Sequence, residues 1–131
     1  MHKATGTFKV QLAPQPADGY FDGPTLNRLT IDKQFQGDLE GSSQGQMMSA
    51  VSSVPGSAGY VAVEKVSGRL EGRTGSFVLQ HSSFMNRGLP EQSIRVVPDS
   101  GTEELIGLSG RMTILIVDGQ HRYEFEYSFT D

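Results

Sequence analysis

RMTILIVDGQHRYEFEY, residues 111–127, decides the fold: two strand-like runs flank the dipeptide Asp118-Gly119. A two-residue type I′ turn needs positive φ at both central positions, which glycine accepts and aspartate tolerates, so this dipeptide predicts a tight β-hairpin. The register follows. Ile116 faces His121, Ile114 faces Tyr123 and Met112 faces Phe125 on one side, while Leu115, Thr113 and Arg111 face Arg122, Glu124 and Glu126 on the other. The first side is apolar and belongs in a core; the second belongs in water.

Working outward, the same period of two recurs along the chain. Phe8, Val10 and Leu12 share one face of a first strand, opposite Thr7, Lys9 and Gln11. Prolines and glycines in Ala13–Pro24 forbid a regular ladder and predict a long loop. A second strand carries Leu29, Ile31 and Phe35, and further strands cover residues 43–53, 58–67, 75–86, 91–97, 105–117 and 120–129, eight in all. No stretch of ten residues holds apolar positions at helical spacing without a glycine or proline inside it, so the sheet must cover itself.

Eight antiparallel strands do this by closing into a barrel; a two-sheet sandwich is the competing arrangement. The glycines favour the barrel. Gly37-Asp38-Leu39-Glu40-Gly41 and Gly68-Arg69-Leu70-Glu71-Gly72 repeat one pattern 31 residues apart, with Gly107-Leu108-Ser109-Gly110 as a looser echo. Glycines recurring in strand-rich sequence mark the bends and bulges a closing sheet needs. A turn at Pro55-Gly56 would pair Val51 with Tyr60, Ser49 with Ala62 and Met47 with Glu64. Neither face of that ribbon is clearly polar, since Met48, Ala50, Val61 and Val63 line the other side, and a partner subunit is expected to cover one of them.

The segments ATGTFKV (4–10), RLTIDKQFQGDLEG (28–41), GSAGYVAVEKVSGRLEGRTGSFVLQHSSFMNRG (56–88), VVPDSGTEELIGLSGRMTI (96–114) and YEFEYSF (123–129) resemble a bacterial family catalogued as a domain of unknown function. Its members fold as small β-barrels similar to allene oxide cyclase. The resemblance spans nearly the whole chain and implies an eight-stranded antiparallel barrel and a homo-oligomer. It implies no activity and carries no functional residue across, and the plant cyclase's own active-site pattern is not found in this sequence.

Composition narrows the functions further. With 131 residues the chain is one domain with one core, residues 1–131. Its formal charge of −4 and its eleven scattered Lys and Arg residues argue against nucleic acid as a partner. The absence of cysteine removes disulfides, thiolate metal sites and a cysteine nucleophile, and fits a cytoplasmic protein. Apolar runs such as Ile114–Val117 are far too short to span a bilayer, and the start of the chain has no apolar signal core, so no membrane association is expected. The histidines at 2, 81 and 121 are dispersed, with no metal-binding spacing; Gly72-Arg73-Thr74-Gly75 lacks the length and lysine of a phosphate loop; Ser82 and Ser83 have no nucleophile elbow. Neither a metal nor another cofactor is expected.

Two residues stand out as candidate catalytic groups. His81 can exchange a proton near neutrality, and on a strand it shares its face with Phe77, Leu79, Ser83 and Met85, turned away from Gln80. Its alternative reading is a hydrogen-bonded histidine in or beside the core. Glu64 shares a face with Tyr60 and Ala62 on a mostly apolar strand; if that face looks inward, burial favours the neutral acid unless a cation answers it. Lys33, aligned with Leu29, Ile31 and Phe35, is the candidate cation, and a solvated surface glutamate is the alternative. Candidate ligand-binding residues are Lys33, Tyr60, Tyr123 and Arg95, the last as an anion binder or else an outward-facing arginine. The leading functional reading is a barrel that holds a small, largely apolar molecule in its mouth or lumen. A cofactor-free isomerase or cyclase and a filled barrel acting through protein partners are the alternatives, and the volume left inside the barrel discriminates among the three.

Overall fold

The computed structural model describes residues 1–16 and 26–130. It is all-β: β1 (His2–Pro14), β2 (Leu26–Gly37), β3 (Leu39–Val51), β4 (Ala58–Leu70), β5 (Arg73–Asn86), β6 (Leu89–Val96), β7 (Leu108–Val117) and β8 (Gln120–Phe129). They pair antiparallel in sequence order and close, β8 against β1, into the eight-stranded barrel the glycines favour. Residues 105–107, expected in a strand, instead finish a single 3-10 turn, Glu103–Leu105, and the bend that leads into β7. Ala13 and Pro14 extend β1, paired with Thr30 and Leu29; residues 17–24 of the expected loop lie outside the described residues.

The final hairpin has the register its turn dictates, with Asp118 at φ 52° and Gly119 at φ 76°. Its inward face is core at Met112, Tyr123 and Phe125, but Ile116 is 68% exposed because the barrel is hollow at that end. The β3–β4 register differs from expectation by two residues: Ser49 pairs with Tyr60, Met47 with Ala62 and Gly45 with Glu64. Proline's fixed φ near −65° bars it from a type I′ turn. Pro55-Gly56 therefore sits inside a longer loop, where Gly56 takes φ 79° and Ser57 N–H donates to Val54 O at 3.1 Å. A slip of two preserves every face, so Met48, Val61 and Val63 do point outward, and they are exposed.

The glycine repeat has a structural reason beyond bending. Its two copies pair with each other across β3 and β4: Leu39 opposes Leu70, Glu40 opposes Arg69 with an ion pair of 2.7 Å, and Gly41 opposes Gly68. The backbones at this last pair approach so closely that a Cβ on Gly68 would lie 2.7 Å from Gly41 Cα.

The core fills one end of the barrel. Phe77 stacks on Phe125 with ring centroids 5.8 Å apart, and Leu39, Leu70 and Leu79 pack in the same cluster. Leu105, fully buried, plugs the end. The segment 97–104 that delivers Leu105 also completes the edge of β5, which β6 covers only from Leu79 onward. Val97 N–H donates to Val78 O at 2.9 Å, Val78 N–H to Ser100 Oγ at 3.0 Å, Thr102 N–H to Ser76 O at 2.9 Å and Ser76 N–H to Thr102 Oγ1 at 3.0 Å. The polar run PDSGT thus replaces a strand where the ladder has none.

Candidate functional site

The opposite end of the barrel is hollow. A cavity of about 490 Å³ is walled by apolar side chains, among them Val10, Leu12, Ile31, Met47, Met85 and Ile114. Lys33, His81 and Ser83 line it as well, and all three are buried.

Three strands bring the charged groups together. Lys33 on β2 alternates with Ile31 and Phe35 facing inward; Glu64 on β4 alternates with Ala62 and Val66; His81 on β5 alternates with Leu79 and Ser83. Glu64 is 1% exposed and its two oxygens are fully engaged. Oε2 accepts from Lys33 Nζ at 2.8 Å and lies 2.5 Å from His81 Nε2; Oε1 accepts from Ser43 Oγ at 2.8 Å. Burial alone would raise the Glu64 pKa, but the His81 hydrogen bond and the Lys33 charge outweigh it and hold the carboxyl down at about 2. Glu64 is therefore an anion at neutral pH and can only accept, which fixes the hydrogen of the His81–Glu64 contact on Nε2.

That leaves the other ring nitrogen. Among the described residues His81 Nδ1 and Ser83 Oγ have no hydrogen-bond partner, although both are shielded from solvent. Lys33 Nζ lies 4.8 Å from the Phe8 ring centroid and 5.8 Å from that of Phe35, so its charge is met by two aromatic faces as well as by Glu64. Tyr60, half-buried on the cavity wall, has its ring centroid 6.4 Å from that of His81.

The candidate residues thus separate. Lys33, Glu64, His81 and Tyr60 converge at the hollow end, with Glu64 behind Lys33 and His81 and not on the cavity surface. Tyr123 is not a cavity residue: it lies 1% exposed in the packed half, where its hydroxyl accepts from Leu39 N–H at 2.9 Å and reaches Gln36 O at 3.0 Å. Burial is the main reason its pKa rises to about 12. Arg95 points outward, exposed, beside Arg111 across the β6–β7 seam, because its neighbours Ile94 and Val96 take the inward positions. Among the described residues no cluster of three or more potential ligands could hold a metal.

Ser43 and Gly45 are the site residues that sequence reasoning missed. Gly45 opposes Glu64, and a Cβ there would lie 2.8 Å from Glu64 Cβ, so the glycine makes room for the carboxylate. The β3–β4 register expected from a two-residue turn, slipped by two residues, puts Met47 opposite Glu64 and hides both.

The fold and this site define a small closed antiparallel barrel, packed at one end and open at the other onto an apolar cavity with a buried ion pair at its floor. Residues 4–127 match a family described as a protein of unknown function, DUF3224, and the chain belongs to that bacterial family. It is similar to a protein of unknown function from the same family in Shewanella oneidensis MR-1, whose crystal structure superposes with a TM-score of 0.95 at 51% identity, covering 100% of this chain and 98% of the other. No curated protein matches.

Proposed function

We propose that this barrel binds one small, largely apolar molecule in its hollow end. The observation that supports the reading is the cavity itself. Its volume of about 490 Å³ falls in the range of ligand pockets, and its wall is apolar around a few convergent polar groups. A barrel built only for rigidity would gain stability by filling that space with side chains. Native mass spectrometry of gently purified protein, together with thermal shifts against a broad panel of apolar molecules, tests the proposal. A retained adduct or a concentration-dependent rise in melting temperature is expected; neither appearing would overturn it.

A cofactor-free isomerase on the same scaffold is favoured by one observation, the fixing of the His81 hydrogen on Nε2, which leaves Nδ1 able to take a proton from one carbon of a substrate and return it to another. In that reading Glu64 positions His81 and does not touch substrate. His81→Ala should abolish turnover of any substrate found while leaving the circular dichroism spectrum unchanged, and surviving turnover removes His81 from the chemistry. The exposed apolar strip Met48, Val61 and Val63 supports self-association through the outer face of β3 and β4.

A further inference from the structure

Two polar atoms without partners, on side chains that line one cavity, are unusual in a folded protein, since a buried donor or acceptor left unmade costs free energy. His81 Nδ1 and Ser83 Oγ are such atoms among the described residues, and the side chains that carry them are 3% and 6% exposed. They lie two residues apart on β5 and so face the same way, onto the cavity. With one ring hydrogen on Nε2 and committed to Glu64, a ring that carries no second hydrogen offers Nδ1 as an acceptor, while the serine hydroxyl can both donate and accept.

The charges around them are already matched. Lys33 and Glu64 neutralise each other at 2.8 Å, so an arriving carboxylate would bring an uncompensated anion into an apolar site beside the Glu64 carboxylate. Groups that only accept, such as an ether oxygen, would leave Nδ1 unsatisfied. A hydroxyl complements both atoms: it donates to Nδ1 and accepts from Ser83.

We infer that the molecule held in the hollow end is a neutral, largely apolar alcohol, and that His81 Nδ1 and Ser83 Oγ together receive its hydroxyl group. The inference rests on the binding reading above and names its ligand class. Glu64 sets the acceptor by fixing the tautomer, and the Val10, Ile31 and Met47 side of the cavity takes the hydrocarbon.

The experiment compares three probes of similar size, 1-octanol, its isomer 1-methoxyheptane and octanoate, by calorimetric titration of the intact chain. It is accompanied by nitrogen NMR of histidine-labelled protein. Octanol should bind about tenfold more tightly than either of the others, the loss expected for an unmade buried hydrogen bond or an unmatched charge. It should also shift the His81 Nδ1 resonance. Ser83→Ala should reduce octanol's advantage over the ether several-fold and at the same time raise the melting temperature, since it deletes a buried hydroxyl that has no partner among the described residues. A purely structural serine would lower it. Equal binding of octanol and ether, tighter binding of octanoate, or an Nδ1 resonance unmoved by octanol overturns the inference while leaving the binding reading intact. If no member of the apolar panel binds either, both fall.

Discussion

Replacing Glu64 by glutamine removes the negative charge that pairs with Lys33 and His81 in the barrel, and the cost follows from two independent routes. Breaking a buried ion pair by deleting one partner costs roughly 3–5 kcal/mol, because the surviving charge stays buried and unanswered; Lys33, 5% exposed, is such a charge. By linkage, the fall of the Glu64 pKa from 4.5 to about 2 corresponds to about 3 kcal/mol of native-state stabilisation at 1.36 kcal/mol per decade. The two agree in order of magnitude.

The pH dependence has a definite sign. A carboxyl whose folded pKa lies below its unfolded value stabilises the fold fully above the unfolded value, and the contribution is lost as pH falls through the folded one. Glu64→Gln should therefore be less stable than the parent by about 3 kcal/mol at pH 7, and the gap should narrow between about pH 5 and pH 2. Urea unfolding followed by far-UV circular dichroism and tyrosine fluorescence measures this, the chain having no tryptophan. A Lys33→Met, Glu64→Leu double variant supplies the control: well-packed apolar residues in place of both partners should recover much of what the single variant loses. A gap at pH 7 below about 1 kcal/mol, a gap that stays constant down to pH 3, or a double variant whose loss equals the sum of the singles would refute the reasoning.

Three further outcomes are expected. Tyr123→Phe should cost about 2 kcal/mol in urea unfolding, because Leu39 N–H loses its partner in the packed half; a loss under about 0.5 kcal/mol contradicts the assigned bond. Gly6→Ala should destabilise by about 2 kcal/mol or fail to fold, since its Cβ would collide with Gln36 O and the Tyr123 hydroxyl; a variant as stable as the parent shows that the β1–β2 contact relaxes freely. Sedimentation should give a mass above the 14.2 kDa of one chain and return it to that value in Val61→Lys, whereas a monomeric parent ends the proposal of self-association.

Legibility in the sequence tracked what each signal physically encodes. Alternation fixes which face a residue takes, so the inward placement of Lys33, Glu64 and His81 could be read from period two alone, and any slip of two residues leaves it intact. Turn chemistry fixes register, and it succeeded at Asp118-Gly119, where both positions take positive φ, and failed at Pro55-Gly56, where the ring forbids it. That single failure concealed Ser43 and Gly45, because they meet Glu64 only through the β3–β4 register. Depth along the barrel axis is a third quantity, and neither signal carries it. Ile116 and Tyr123 lie on the same inward face of one hairpin, yet one opens onto the cavity and the other is sealed in the core. Arg95, read as an anion binder or else an outward-facing arginine, takes the outward position: its apolar neighbours Ile94 and Val96 claim the inside, and alternation sends it out.

The division of the barrel into a packed and a hollow half bears on how His81 Nδ1 and Ser83 Oγ can go without a protein partner among the described residues. Each buried polar atom without a partner costs roughly 1–3 kcal/mol, a substantial share of the 5–15 kcal/mol by which a domain of this size is stable. Such a cost is sustained only if stability comes from elsewhere, and here it comes from the far end, where the aromatic cluster, the Leu105 plug and the Tyr123 hydrogen bonds close the core. The hollow end is less well held. Among the described residues the only ladder pair between β6 and β7 is Arg95 with Arg111, and nearer the mouth the Gln92 side chain takes over, accepting from Ile114 N–H at 2.8 Å and donating to Ile114 O at 3.3 Å. A side chain that stands in for backbone rungs can yield without unzipping a strand, so the cavity wall can adjust to an occupant while the packed half keeps the barrel closed. Stability and binding capacity are thus built from different residues of the same eight strands, and substitutions at one end should be measurable with little effect on the other.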